Sequence, residues 1–208
     1  MKQERSRLLE GWILVLWVAL GLGLMVAAVF ADSGAADLDT VKRGLRATAR
    51  TSVALFLCAF AASSLRRLWP NRATGWLLRN RRYVGVSFAV SHFVHLGLIA
   101  SLAHFTPERF TGNPAGLIPG FTAYLFIAAM TATSFDRTTR WLGKVWWRRL
   151  HLAGSWWIWA VFTGNYASKV ASGPGYAIAA LACAAVAALR ITAWLRARAR
   201  RRRLAPGS

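Results

Sequence analysis

Long apolar runs cut apart by basic clusters constrain this chain more than any other feature. Gly11 to Ala31 carries no charged residue, and about 20 apolar residues are enough to cross a bilayer as a helix. Five more segments follow. They are Thr51 to Leu65, Tyr83 to Phe105, Leu117 to Phe135, Leu150 to Ala167, and Gly175 to Leu195. The second extends back through Leu45 if Arg46 and Arg50 snorkel to the headgroups. Pro119 opens the fourth, where a first helical turn tolerates it. An amphipathic run from Trp141 precedes the fifth. Asn113, Pro114, Gly116 and Gly173-Pro174-Gly175 are turn formers between spans. The pattern predicts an all-α, six-span transmembrane helical bundle over residues 11–195. A cytoplasmic segment (1–10) precedes it and a basic cytoplasmic tail (196–208) follows.

Hydrophobic residues make up 56% of the 208, yet the formal charge is +20. That hydrophobicity excludes a disordered chain. Charged residues are only 16%, against about 25% in soluble domains, so an ordinary soluble domain is excluded too. Oiliness and charge coexist when spans face lipid and loops carry the charge. With the N-terminus in the cytoplasm, 21 of the 27 Lys and Arg fall on the inner side. This is the bias expected of a multi-pass protein of the cell membrane, and an even span count puts both termini inside. A cleaved signal peptide over Lys2 to Phe30 is the alternative for the first run. That run is longer than a signal core, which favours a retained helix.

Membrane lipids are the expected partner of the Arg196 to Arg203 tail, because an anionic leaflet attracts such runs. A nucleic-acid partner is not expected beside six membrane spans. Arg66, Arg67, Arg72 and Arg79 offer a basic surface for an acidic partner protein. Trp12, Trp69, Trp76, Trp141, Trp146, Trp147 and Trp194 fall near interfaces, where indoles prefer to sit. Trp156, Trp157 and Trp159 lie deeper, as packing residues or as walls for a flat cofactor. Cys58 and Cys183 stand in apolar runs without a Cys-x-x-Cys pair, so they are expected to be buried packing thiols.

Four histidines remain. His92 and His95 lie in the third span, His104 at its outer end, and His151 near the inner end of the fifth. Ionisable groups inside a span are costly and usually functional. The third and fifth spans run parallel, and His92 and His95 share a helix face at i, i+3. Two neutral imidazoles on facing helices can take the axial positions of a haem iron. No covalent attachment motif exists, so such a haem would be b-type. His151 is expected as one iron ligand, with His95 or His92 as the other. Gly85, Gly154 and Ser155 are small enough to let a macrocycle approach.

Arg81-Arg82-Tyr83-Val84-Gly85-Val86 followed by His95 resembles the third-helix pattern of the ferric-reductase-like transmembrane domain family. Thr133-Ser134, Leu142-Gly143, Trp147 and Leu150-His151 resemble its fifth-helix pattern. The resemblance covers about residues 45–195. It is greatest to short bacterial members, which include the haem-bearing membrane subunit of the methionine sulfoxide reductase system. It implies a membrane b-type cytochrome, an electron-transfer subunit of an oxidoreductase. Electrons would pass from a separate reductase or quinol toward an extracytoplasmic acceptor protein. The family pattern favours His95, whereas depth counted from Arg82, about 15 Å for His92 and about 20 Å for His95, favours His92. The family pattern also has a second fifth-helix histidine where this chain has Gly164, which leaves one bis-His haem at most. No flavin or nicotinamide motif is encoded, since Gly21-x-Gly23 lies inside a span, and no quinone motif is evident. No catalytic residue is expected. Two other readings stand beside this one. One is a haem-free membrane scaffold or assembly subunit that keeps the fold. The other is a metal or proton transporter using His92 and His95.

Overall fold

A computed structural model describes residues 9–34, 37–112 and 114–204, and among these the chain forms helices and no strand. The long helices are α1 (Gly11–Ser33), α2 (Leu38–Leu68) and α3 (Arg72–Phe105). After the short α4 (Glu108–Thr111) come α5 (Ile118–Ala132), α6 (Asp136–Leu142), α7 (Lys144–Ala167) and α8 (Pro174–Leu204).

Local chemistry sets these boundaries. Asn71 caps α3 through a reciprocal pair of bonds with Thr74, at 2.9 and 3.1 Å, which satisfies orphan donors of the first turn. That cap starts α3 eleven residues before Tyr83, so the third helix is longer than its apolar run. Between α6 and α7, Gly143 takes φ +78°, a conformation that favours glycine and allows a sharp turn. Pro174 opens α8, as proline does at a first helical position. α8 then runs through Arg196 to Arg203 to Leu204. The basic tail, expected as a separate segment, is a helical continuation of the last span.

Asp37 caps α2, and its carboxylate accepts from the Thr40 amide at 2.8 Å. Hydrogen bonds from Thr40 hold this carboxyl below the usual carboxylate range. A lowered native pKa gives stability that is present above the unfolded value of about 3.9. That stability is lost as pH falls through the folded value. Helicity monitored on acidification should therefore fall later for Asp37→Asn than for the parent in this step, because the amide does not titrate.

The core lies where α2, α3, α5, α7 and α8 meet. Phe56 packs on Phe60, Phe88 and Phe162 at 5.2, 5.3 and 5.6 Å between ring centroids. Ser52 and Ser91 join α2 to α3 by a 2.9 Å hydrogen bond, and the small Ala61, Ala62 and Ala89 are buried on the same two helices. Small residues and cross-helix hydroxyl bonds are the usual means of close packing between membrane helices. Cys183 is buried as expected, but Cys58 is exposed on the outer side of α2.

The outward faces are apolar. Leu16, Trp17 and Leu24 of α1, Phe121 and Leu125 of α5, and Leu181 of α8 are all exposed. α1, α2, α3, the segment Ala115–Ala132 and α8 are long and apolar enough to cross a membrane. These features make the chain an all-helical, multi-pass membrane protein. At 24 residues, α7 has the length to cross, about 36 Å. Lys144, Arg148 and Arg149 make its first turns basic, and His151, Gly154, Ser155, Gly164 and Asn165 make the rest less apolar than the other five.

The helices alternate in direction. Arg79 pairs with Glu10 at 3.6 Å and Trp12 stacks on Phe135 at 5.5 Å. Arg67 reaches the Ala193 carbonyl at 3.4 Å, and Trp147 reaches that of Thr133 at 3.0 Å. The starts of α1, α3 and α7 therefore gather with the ends of α2, α5 and α8. This is the arginine-rich end, called the basic end below.

Candidate functional site

At the basic end, α3 and α7 stand on opposite sides of a cavity of about 1070 Å³. Ligand sites commonly span about 300–1,000 Å³, so the space is ample for a flat cofactor. Phe56, Phe88, Ile127, Ile158 and Trp156 form its apolar wall. His151 lines it from α7, Arg81 and Gly85 from α3, and Arg190 from α8.

His151 is held from two sides. Its ring stacks on Trp147 at 4.2 Å, and its Nε2 lies 3.2 Å from the Thr133 hydroxyl. That hydroxyl donates its own proton to the Ala129 carbonyl at 2.8 Å. It therefore accepts from Nε2–H, which leaves the imidazole lone pair on Nδ1. Ser155, one turn on, donates to the His151 carbonyl and lines the same cavity.

His92 and His95 occupy a different layer. Their rings stack at 5.3 Å. His92 also meets Tyr124 at 4.8 Å and Phe162 at 5.4 Å. His95 Nδ1 lies 2.8 Å from the Thr48 hydroxyl, which itself donates to the Gly44 carbonyl. Phe162, the α7 neighbour of His92, stands eleven residues beyond His151, about 16 Å along the helix. Two imidazoles sharing an iron need nitrogens about 2 Å from it on either side. The structure brings His92 and His95 together, and neither of them to His151. The expected pairing of His151 with His95 or His92 is therefore not formed.

The reason lies in where the helices begin. His151 is two turns into α7, whereas His92 is more than five turns into α3. Both helices start at the same end, so the third-span histidines sit high and His151 sits low. Taking Arg82 as the base of the third helix hides this, because α3 begins ten residues earlier at Arg72.

Other expected site residues divide. Gly85 has open space where a side chain would project, as a macrocycle site requires. Gly154 does not serve the cavity. A Cβ there would come within 2.5 Å of the Met130 sulfur and 3.0 Å of the Phe126 ring. Gly154 is where α5 and α7 approach closely. Gly154→Val should overfill this contact and cost about 1–3 kcal/mol, read as a lower melting temperature in detergent. Trp156 forms cavity wall, Trp159 donates to the Cys183 carbonyl at 2.9 Å, and Trp157 faces outward. Trp147, expected near an interface, lies in the first turn of α7 and stacks on His151. His104 sits by Phe105 at the far end.

Three contributors were given no site role by the sequence, although Arg81 belongs to the third-helix motif. Arg81 donates through Nε to the Ala59 carbonyl at 3.1 Å and through Nη1 to the Ser63 hydroxyl at 3.0 Å. Arg190 donates to the Phe60 carbonyl, with its guanidinium 3.9 Å from the centre of the Phe60 ring. Neither forms an ion pair among the described residues. A charge in the middle of a membrane helix costs about 2.5–3.5 kcal/mol on insertion scales. Tyr124 is the third, a phenol on the His92 ring. Apolar residues on both sides of Arg190 are the signal that marked it as more than a loop charge.

Among the described residues no group of three or more His, Cys, Asp or Glu is placed to hold a metal ion. The residues present do not fit a haem gripped by two imidazoles. They do fit one held from one side by His151, with Gly85 leaving room on the α3 side. No protein-family model, curated protein or solved structure matches this chain.

Proposed function

We propose that this chain is a six-span membrane b-type cytochrome with both termini cytoplasmic, an electron-transfer subunit whose haem lies against His151. One observation carries the reading: an imidazole held in the wall of a large, mostly apolar cavity inside a helical bundle. Haem iron, when bound, supplies a one-electron centre whose potential follows its ligand and its burial. Thr133 and Trp147 orient the imidazole, and Thr133 keeps the proton on Nε2. The aromatic wall excludes water. α7 counts as the sixth span on its length, and its basic first turns lie at the cytoplasmic side by the positive-inside bias.

The site sits at the basic end. A separate reductase or quinol on the cytoplasmic side reaches it first. Delivery to an extracytoplasmic acceptor then requires a further carrier for the other half of the bundle. The test is a reduced-minus-oxidised spectrum of the purified protein with a haem-to-protein ratio. One haem per chain is expected, and a colourless preparation from haem-replete cells would overturn the reading. The separation of His151 from the other imidazoles favours a second reading, a haem-free scaffold that keeps the fold. That reading predicts the colourless result.

A further inference from the structure

Arg81 and Arg190 approach the same cavity from α3 and α8, and both are anchored on one stretch of α2. Arg81 bonds to Ala59 and Ser63, and Arg190 to Phe60. The Arg190 guanidinium also lies against an aromatic pair, 3.9 Å from the centre of the Phe60 ring and 5.4 Å from that of Trp156. Its Nε is buried without a hydrogen-bond partner in the described structure. The described acids are engaged or distant. Glu10 pairs with Arg79, Asp32 with Arg43, Asp39 with Lys42, and Asp136 with Arg82. Asp37 caps α2, and Glu108 begins α4 beyond the far end of α3. Asp136 lines the same cavity but is taken up by Arg82 at 2.7 Å, so Arg81 and Arg190 are left without an ion-pair partner among the described residues.

We infer that Arg81 and Arg190 form an oxyanion site, and that the cavity selects amphiphiles carrying a carboxylate or phosphate on an apolar body. Guanidinium groups match both oxyanions and can hold them through paired donors. Phe56, Phe88 and Ile127 would receive the apolar body. This goes beyond the haem reading, because it concerns charge selection whatever carries the anion. The same chemistry has two sources, the carboxylates of haem and the phosphate of a membrane phospholipid.

The test uses the full chain purified in neutral detergent. Iron protoporphyrin IX and its uncharged dimethyl ester are titrated against tryptophan emission, since Trp147 and Trp156 line the cavity. Phosphatidylglycerol and diacylglycerol are compared by native mass spectrometry. The anionic member of at least one pair should bind about tenfold tighter or more than its neutral counterpart. Arg190→Met and Arg81→Met should each reduce that preference, while Arg190→Lys, as a folding control, keeps part of it. Selection of phosphatidylglycerol without porphyrin binding sustains this inference and overturns the haem reading. Porphyrin binding with equal affinity for acid and ester, and no lipid preference, overturns this inference alone. A preference unchanged in both methionine variants also overturns it, and so does binding of no probe at all.

Discussion

His151→Ala should yield a folded membrane protein without haem, whereas His92→Ala and His95→Ala should keep the parent's haem content. The contrast follows from the layering of the imidazoles. His151 faces the large cavity, and nothing else in that wall offers a nitrogen lone pair of the kind iron takes. His92 and His95 are engaged about 16 Å away along the bundle axis, one against Tyr124 and Phe162, the other on Thr48. Alanine at 151 is a good helix former, and the Trp147 bond to the Thr133 carbonyl survives the change, so α7 should keep its place. The measurement is haem per protein after purification, with the melting temperature as a check on folding. Loss of haem in His95→Ala with retention in His151→Ala would move the site to the other half of the bundle.

Gly85→Trp should abolish cofactor binding and leave the empty protein about as stable as the parent. A Cβ at Gly85 meets no atom within 4 Å, and the residue lines the cavity. An indole there would fill space that a cofactor needs, without the overpacking cost of a crowded site. Gly97→Trp is the matched control. It also lies on α3 with no atom within 4 Å of its Cβ, but it is exposed and lines no part of the cavity. Haem content should fall to background in the first variant and stay unchanged in the second. Equal haem content in both would place the ligand elsewhere.

Much of the fold was legible because lipid and helix geometry write themselves into sequence. Gly11 opens α1 as the first apolar run requires, and the helix ends within two residues of Ala31. The errors came where polar residues continue a helix. Between Arg72 and Arg82 the only apolar run is Trp76-Leu77-Leu78, too short to read as a span, yet Asn71 and Thr74 cap a helix there. Arg196 to Arg203 reads as a loop by charge and continues as helix. The site was half legible. His151 was marked by being a histidine near a span's end, and Gly85 by its size. Pairing His151 with a third-span histidine failed because depth depends on the true starts of α3 and α7. A shift of ten residues moves a side chain about 15 Å. Arg81 and Arg190 escaped because a count of basic residues treats every arginine as lying at a boundary.

The helical course of α8 through Arg196 to Arg203 changes what those charges can do. Successive residues rotate about 100° around the axis, so the arginines point in all directions and no apolar side remains. Such a rod cannot recline in the headgroup layer as an amphipathic helix does. It stands off as a stiff cationic post about 12 Å tall, whose reach is set by its number of turns.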